Sequence, residues 1–175
     1  MGAGVGIWQA SSGPSDPRVQ VEMEIFNRLA VPLTDPTSYV ESRVIVTPAS
    51  VIDPGTRGVF KAQKRRSAFF GSEGTVSWNV GGKQIILMWR APNYFTRRKC
   101  NELAVGINPT GGHSDTTFET MFYDRTTNFD YNKVKFCASS GNSRAARYCD
   151  TSICVSALMG TEHKSSVTVR VENKA

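Results

Sequence analysis

The segment GTVSWNVGGKQIILMWR, residues 74–90, contains the clearest structural pattern in the chain. Residues 75–80 are β-branched and aromatic at most positions, a composition that favours an extended strand. The Gly81-Gly82 dipeptide then provides the two residues of a tight hairpin turn. Residues 83–90 return as a second, strongly apolar strand. The segment therefore predicts a β-hairpin.

Further strands are predicted on both sides of this hairpin. Apolar residues alternate with polar ones at 19–25 and again at 167–171, the period of a half-buried strand. Shorter apolar segments predict strands at 39–47, from Val59-Phe60, at 103–107, at 133–137 and at 153–158. Turn signals recur about every ten residues, a spacing typical of β-sandwiches. The prediction is a mainly β protein, a β-sandwich.

One segment departs from the strand pattern. Ser114 or Asp115 is a suitable helix N-cap, and Thr116 with Glu119 fits a capping box. Three apolar side chains, Phe118, Met121 and Phe122, follow at helical spacing. We therefore expect one short helix over about 115–124.

Length and composition are those of a single globular domain. The chain has 175 residues, of which 39% are hydrophobic and 21% are charged. Residues 1–17, rich in Gly, Ser and Pro, are predicted to be a flexible arm, and residues 18–175 the domain. The longest apolar run covers only residues 85–89. A membrane-spanning helix needs a run of roughly 20 residues, so this one is far too short.

The net charge of +6 favours acidic partners: anionic lipid headgroups, sialylated glycans or nucleic acid. The prediction of a nucleic-acid partner rests on charge alone and is the weakest of the three. Basic residues cluster at 61–66 and at 97–99. The alternative interpretation of both clusters is that they are ordinary solvated loops.

Four cysteines leave the redox state open. Cys100, Cys137, Cys149 and Cys154 contain no CxxC pair, and with only two histidines they predict no metal site and no cofactor. Two disulfides could form with any of three connectivities, and local bridges such as Cys137–Cys149 or Cys149–Cys154 are compatible with the spacing. Free thiols in a reducing compartment remain the alternative.

Catalytic motifs are missing from the sequence. It has no nucleophile elbow, no P-loop and no dinucleotide fingerprint. His113 follows two glycines and His163 lies in a polar loop, so we interpret both as surface histidines. The expectation is a protein that is not an enzyme.

Several fragments in register resemble the actinoporins, the pore-forming cytolysins of sea anemones. They are MWRAPNY (88–94), NELAVGI (101–107), the helical FETMFY (118–123), and YVES (39–42), DPG (53–55), GTVSW (74–78) and VTVRV (167–171). Together they cover about residues 19–175. The resemblance implies a β-sandwich of about ten strands flanked by helices, a phosphocholine pocket, and an amphipathic N-terminal helix that inserts into the membrane. Fungal fruit-body lectins share this sandwich.

The resemblance also implies which residues bind a lipid headgroup. Ser42, Pro92 and Tyr123 match the family's pocket, while Phe118 and Phe122 stand at tyrosine positions and keep the aromatic face that attracts a quaternary ammonium. The adjoining pocket positions are Glu73, Arg90 and Tyr94. The membrane-interface loop is predicted from Trp89, Phe95, Arg97, Arg98 and Lys99.

Two departures from the family shape the functional hypothesis. Arg90 replaces a serine and Glu73 a small apolar residue; a guanidinium repels choline but can bind phosphate or carboxylate. We therefore expect an anionic or other non-choline headgroup, or a glycan, rather than sphingomyelin. The glycines and prolines of residues 1–17 do not suit an inserting amphipathic helix, since each glycine costs about 1 kcal/mol there.

The functional expectation is therefore a lipid-headgroup-binding protein of actinoporin type, with impaired pore formation and possible self-association on membranes. The alternative is a carbohydrate-binding, lectin-like protein on the same sandwich. The resemblance implies a secreted protein that acts at a target membrane. The N-terminal residues do not form a signal peptide, which leaves a cytoplasmic location open.

Overall fold

Two packed sheets make up the protein, as seen in a computed structural model that describes residues 15–42, 44–66, 68–140 and 144–175. One sheet has the strand order β3-β4-β1-β11-β10-β9 and the other β2-β5-β6-β7-β8. The expected β-sandwich is confirmed, with eleven strands in the described residues. The elements are β1 (Ser15–Asn27), β2 (Thr34–Val40), β3 (Ile45–Thr47), β4 (Arg57–Arg65), β5 (Ser72–Val80), β6 (Lys83–Ala91), β7 (Asn101–Asn108), α1 (Thr117–Phe122), β8 (Asp130–Phe136), β9 (Ala146–Cys149), β10 (Ile153–Met159) and β11 (Lys164–Asn173).

The hairpin β5–β6 forms as the sequence predicts. Gly81 and Gly82 have φ values of 51° and 83°, which is the left-handed backbone that a two-residue hairpin turn requires at both positions. The turn fixes the register of the whole hairpin, from Val80 opposite Lys83 to Ser72 opposite Ala91.

The main core lies between the two sheets. Trp78 and Trp89, both on the inner face of the hairpin, are completely buried. Each indole N–H has a partner, since Trp78 donates to the Ser50 carbonyl over 2.8 Å and Trp89 to Ser72 Oγ over 3.2 Å. The prediction that Trp89 belongs to an exposed interface loop is therefore wrong: the strand alternation directs it inward and its neighbour Arg90 outward.

A smaller core lies on the outer face of the five-stranded sheet, beneath α1. Phe118 and Met121 of the helix pack there on Ile86, Met88 and Ala104. The prediction of a helix is confirmed, but the helix spans only 6 residues and is shorter than the segment expected at 115–124.

The predicted capping of this helix is wrong. Thr116 is the N-cap, and its side chain makes no capping hydrogen bond. Its hydroxyl pairs instead with Ser114 Oγ at 2.9 Å. Glu119 forms an ion pair with Arg125 rather than reaching back to the N-cap.

The strands differ from the prediction in several places. The single strand expected at 39–47 is the end of β2 and the whole of β3, which lie in different sheets. Ser42, at this crossing, is buried and donates its hydroxyl to the Gln63 carbonyl over 2.9 Å. The short strand β9 is not predicted by the sequence. β1 begins at Ser15, inside the predicted arm, and the rest of that arm, residues 1–14, lies outside the described residues.

Two disulfides join the four cysteines, so neither free thiols nor a Cys137–Cys149 bridge is present. Cys100–Cys137 links the segment before β7 to the end of β8, and Cys149–Cys154 links β9 to β10. Of the two local bridges that the spacing allowed, Cys149–Cys154 is the one that forms. Among the described residues, no helix has the length and apolar character to cross a bilayer.

Candidate functional site

Three loops meet at one end of the sandwich, which we call the aromatic end: residues 68–71, 92–100 and 160–163. The first two are brought together because β5 begins where β6 ends, with Ser72 opposite Ala91. The third loop is joined to them by Asn101, whose side-chain amide donates to the carbonyls of Gly160 and Glu162 over 2.8 and 2.9 Å.

Large aromatic side chains project into solvent at or beside this end. Phe69 is 96% exposed and Tyr94 is 72% exposed. Large aromatic side chains are usually much more buried than this in a folded protein. Tyr123, which follows α1, is also exposed, and Phe70 and Phe95 are partly so. Sequence reasoning predicted Tyr94, Phe95 and Tyr123 but missed Phe69 and Phe70. Their signal was a Phe-Phe-Gly sequence in a connection between two strands.

The loop between β6 and β7 adds positive charge to the aromatic surface. Arg97, Arg98 and Lys99 are all exposed, and within the described part of the chain none lies within ion-pair distance of a carboxylate. Thr96 fixes the turn, since its Oγ1 accepts hydrogen bonds from the backbone N–H of Arg98 and of Lys99. Cys100 then clamps the loop to β8 through its disulfide.

Beside the aromatic end, a row of charges crosses the outer face of the five-stranded sheet. Glu73, Arg90 and Glu102 lie opposite one another on three adjacent strands. Arg90 Nε is 3.5 Å from Glu73 and its Nη1 is 3.6 Å from Glu102. Burial raises the pKa of the Glu73 carboxyl, although the Arg90 charge opposes that shift. The guanidinium of Arg90 also lies 4.7 Å from the centre of the Phe122 ring.

Arg90 is therefore largely neutralised by the protein itself. The guanidinium of Arg90 already interacts with two carboxylates and with the face of the Phe122 ring, so it is not available to a ligand in the way that we expected. The sequence contains the signal for one pair, because a hairpin centred between Gly81 and Gly82 places Glu73 opposite Arg90. The pairing with Glu102 depends on the long loop 92–100, whose register no local pattern specifies.

A pocket of about 240 Å³ opens between the loops 68–71 and 92–100. It is lined by Phe69, Phe70, Gly71, Arg90, Pro92, Asn93 and Lys99. With Arg90 paired, the charge in this pocket that forms no ion pair within the described residues is that of Lys99. Aromatic rings, an amide and an ammonium thus surround one opening, a combination suited to an anionic group attached to an apolar body.

The predicted site residues separate into two groups. Arg90, Pro92 and Lys99 line this pocket, and Tyr94 and Tyr123 are exposed. Ser42, Phe118 and Trp89 are buried in the protein interior, with relative exposures of 1%, 5% and 0%. They act in packing, and in the case of Ser42 the hydroxyl is already used by a backbone carbonyl.

His113 is not the surface histidine that its glycine-rich context suggested. Its two ring nitrogens lie 2.7 Å from Ser77 Oγ and 2.6 Å from Thr75 Oγ1. Tyr39 contacts the ring edge-on, with centroids 4.8 Å apart. Burial lowers the pKa of His113 to about 4. These contacts fasten the segment after β7 to the outer face of β5, away from the aromatic end.

Comparison with known proteins finds sequence relatives over part of the chain and a solved structure with a similar fold. No protein-family model matches the sequence. Over 117 residues, 62% of this chain, it is 32% identical to Tereporin-Ts1 of Terebra subulata and 31% identical to Tereporin-Ca1 of Terebra anilis. The matched segment spans 56% and 60% of the length of those relatives.

Among solved structures, that of the lipid binding protein Nakanori superposes with a TM-score of 0.63. The match has 16% sequence identity and covers 93% of this chain and 72% of Nakanori. At that identity the likeness concerns the fold. The chain thus has the β-sandwich fold of Nakanori and is related in sequence, over 117 residues, to the tereporins.

Proposed function

We propose that this protein binds membrane surfaces through its aromatic end, with a preference for anionic lipid headgroups. One observation carries the proposal: exposed aromatic rings lie at one end of the sandwich beside basic side chains that form no ion pair among the described residues. Aromatic side chains settle at the membrane–water interface, and each Lys or Arg near an anionic surface adds about 1 kcal/mol. The Nakanori fold, seen in a lipid binding protein, supports the proposal.

The headgroup is proposed to enter the pocket between loops 68–71 and 92–100. Lys99 would bind its phosphate, with the Asn93 amide as a hydrogen-bond donor and the Phe69 and Phe70 rings beside the glycerol region. Arg90 forms a wall of the pocket rather than the anion contact, because Glu73 and Glu102 neutralise it. This is a binding role, and we propose no catalytic step.

A location outside the cell is proposed as well. The two disulfides are of the kind that persists in oxidising compartments, and the relationship to the tereporins is consistent with secretion. Pore formation and self-association are left to the same experiment, since leakage and cross-linking can be measured on the vesicles to which the protein binds.

Co-sedimentation with vesicles tests the proposal. Vesicles of phosphatidylcholine alone, with phosphatidylglycerol and with sphingomyelin are compared, and dye leakage is measured in the same tubes. We expect the phosphatidylglycerol vesicles to bind most protein. The variant Phe69→Ser/Tyr94→Ser should bind at least tenfold less, because two interfacial anchors are lost.

The matched control is Val31→Ser/Val51→Ser, which removes two exposed apolar side chains outside the aromatic end. It should bind as the unmodified protein does. Binding that strictly requires phosphocholine would overturn the headgroup preference. Binding to none of the vesicles would overturn the proposed function and direct the search to glycans.

A further inference from the structure

A second pocket lies on the other side of loop 92–100. It has a volume of about 270 Å³ and is lined by Phe95, Thr96, Arg97, Cys100, Phe136, Cys137, Ala138, Ser139 and Thr161. It shares no residue with the pocket that contains Lys99. It is therefore a separate site, for which the proposed headgroup binding assigns no role.

The walls of this pocket are held in place before any ligand arrives. The Cys100–Cys137 disulfide forms part of the lining and fixes the loop to β8. Phe95 is stacked on the His163 ring, with centroids 4.1 Å apart and planes within 8° of parallel. Phe136, another residue of the lining, is only 1% exposed. Because these walls are already fixed, less conformational entropy is lost when a ligand binds.

The chemistry of the lining is amphipathic. The two phenylalanines, the disulfide and the alanine make the larger part of the surface apolar. Threonine and serine hydroxyls lie among them, and the exposed side chain of Arg97 is at the rim. Within the described residues Arg97 has no carboxylate partner. A guanidinium so placed can form charge-assisted hydrogen bonds with a carboxylate or phosphate.

The size of the pocket selects among apolar ligands. Most small-molecule sites have volumes of roughly 300 Å³ or more, and this pocket lies just below that range. A narrow flexible chain can enter such a space by its end, whereas a bulky ring system cannot be enclosed. The pocket is open to solvent at Arg97, so a charged group at the end of such a chain would remain in water beside this side chain.

We propose that this pocket binds one acyl chain of an anionic amphiphile, with the carboxylate or phosphate of that amphiphile at Arg97. The amphiphile is either a single-chain molecule free in solution, as a fatty acid is, or a membrane lipid that donates one of its chains. The site goes beyond the proposed headgroup binding and does not depend on it, because a free fatty acid can be tested without vesicles.

Calorimetric titration in solution tests the inference with three probes. Decanoate, which has the chain and the anionic head, should give saturable one-to-one binding. Butanoate, whose chain is too short, should give none. Decyltrimethylammonium, which keeps the chain but reverses the charge, should bind at least tenfold more weakly. Absence of saturable decanoate binding, or equal binding of the cationic probe, would overturn the proposal whatever the variants do.

Two variants locate the binding to this pocket. Thr161→Trp fills the space and should abolish decanoate binding, and Arg97→Gln should weaken it about tenfold. Arg28→Gln removes an exposed charge at the opposite end, just after β1, and should leave decanoate binding unchanged. Decanoate affinity that survives Thr161→Trp in a folded protein would refute the assignment.

The same Thr161→Trp variant distinguishes the two sources. If the chain comes from a membrane lipid, the variant reduces binding to phosphatidylglycerol vesicles and decanoate competes with the vesicles. If the ligand is a free amphiphile, vesicle binding is unchanged while decanoate binding is lost.

Discussion

The two ends of this sandwich are built on different principles. At the end opposite the aromatic one, short turns satisfy their own polar groups: Asp150 accepts hydrogen bonds from the backbone N–H of Ser152 and Ile153 and from Lys83 Nζ. Burial acts to raise the pKa of Asp150, but these hydrogen bonds outweigh it and hold the pKa at about 2. The aromatic end instead leaves Arg97, Arg98 and Lys99 without ion pairs among the described residues, beside exposed rings.

This contrast separates stability from function within the molecule. Exposed aromatic rings beside charges that form no ion pair among the described residues contribute nothing to folding, so their combination at the aromatic end indicates a surface that meets a partner. Substitutions of the exposed rings and charges at the aromatic end, as distinct from its disulfide, should weaken binding at unchanged stability. Substitutions at the opposite end should do the reverse.

The largest expected effects are on stability, and they come from removing each of the two disulfides. Cys100 and Cys137 are 37 residues apart, whereas Cys149 and Cys154 are 5 apart. The loss of loop entropy grows with the length of the closed loop. Cys100→Ser/Cys137→Ser should therefore lower the free energy of unfolding by about 4 kcal/mol and Cys149→Ser/Cys154→Ser by about 2 kcal/mol.

Denaturant unfolding without reductant measures both variants against the unmodified protein. The longer bridge also clamps the basic loop, so its removal should weaken vesicle binding in the protein that remains folded, and removal of the shorter bridge should not. Equal costs for the two variants would contradict this account of how the aromatic end is held.

The next largest effect is on binding. Arg97→Gln/Arg98→Gln removes two exposed charges from the aromatic end, each worth about 1 kcal/mol at an anionic surface, so the partition coefficient onto phosphatidylglycerol vesicles should fall roughly thirtyfold. Stability should change by less than about 0.5 kcal/mol, as for other exposed sites. Partition is measured by co-sedimentation at fixed salt, because screening weakens the effect.

The control for this variant is Arg28→Gln/Lys174→Gln, which removes the same charge from exposed positions outside the aromatic end. It should reduce partition by less than threefold. A similar loss from both pairs would mean that net charge, rather than the basic loop, governs binding.

The sequence predicted the scaffold better than the surface. The hairpin at 74–90 was predictable because its turn residues and its alternation are local features. The sheet crossing between Val40 and Ile45 was not, because the apolar pattern continues while the hydrogen-bonding partner changes from β5 to β4. Periodicity reports burial and does not report which sheet buries a residue.

The candidate site shows the same limit. Family resemblance assigned Arg90 and Pro92 to a headgroup pocket, and both line an opening in the structure. It assigned Trp89 to an exposed interface loop, but this residue lies on the inward side of the strand and is buried. Phe69 and Phe70 carry no motif, and their importance follows only from their exposure. The neutralisation of Arg90 by Glu102 depends on pairing between strands that a long loop separates.

The smallest predicted effect is a pH dependence of stability at His113, outside the aromatic end. Its pKa is about 4 in the folded protein and near 6.5 when unfolded. Because folding favours the neutral ring, the stability it contributes is complete above pH 6.5 and is lost as the pH falls toward 4. Between pH 7.5 and 5.5 the loss should be about 1 kcal/mol.

His113→Gln isolates this contribution, because glutamine can still bond to the Thr75 or Ser77 hydroxyl but does not titrate. The free energies of unfolding of both proteins, measured at pH 7.5, 6.5 and 5.5, should converge as the pH falls, since only the unmodified protein loses the contribution of His113. Glu73, whose raised pKa acts in the opposite direction, is common to both and cancels in the difference. Parallel curves would show that the ring titrates equally in the folded and unfolded chains, and that burial does not hold it neutral.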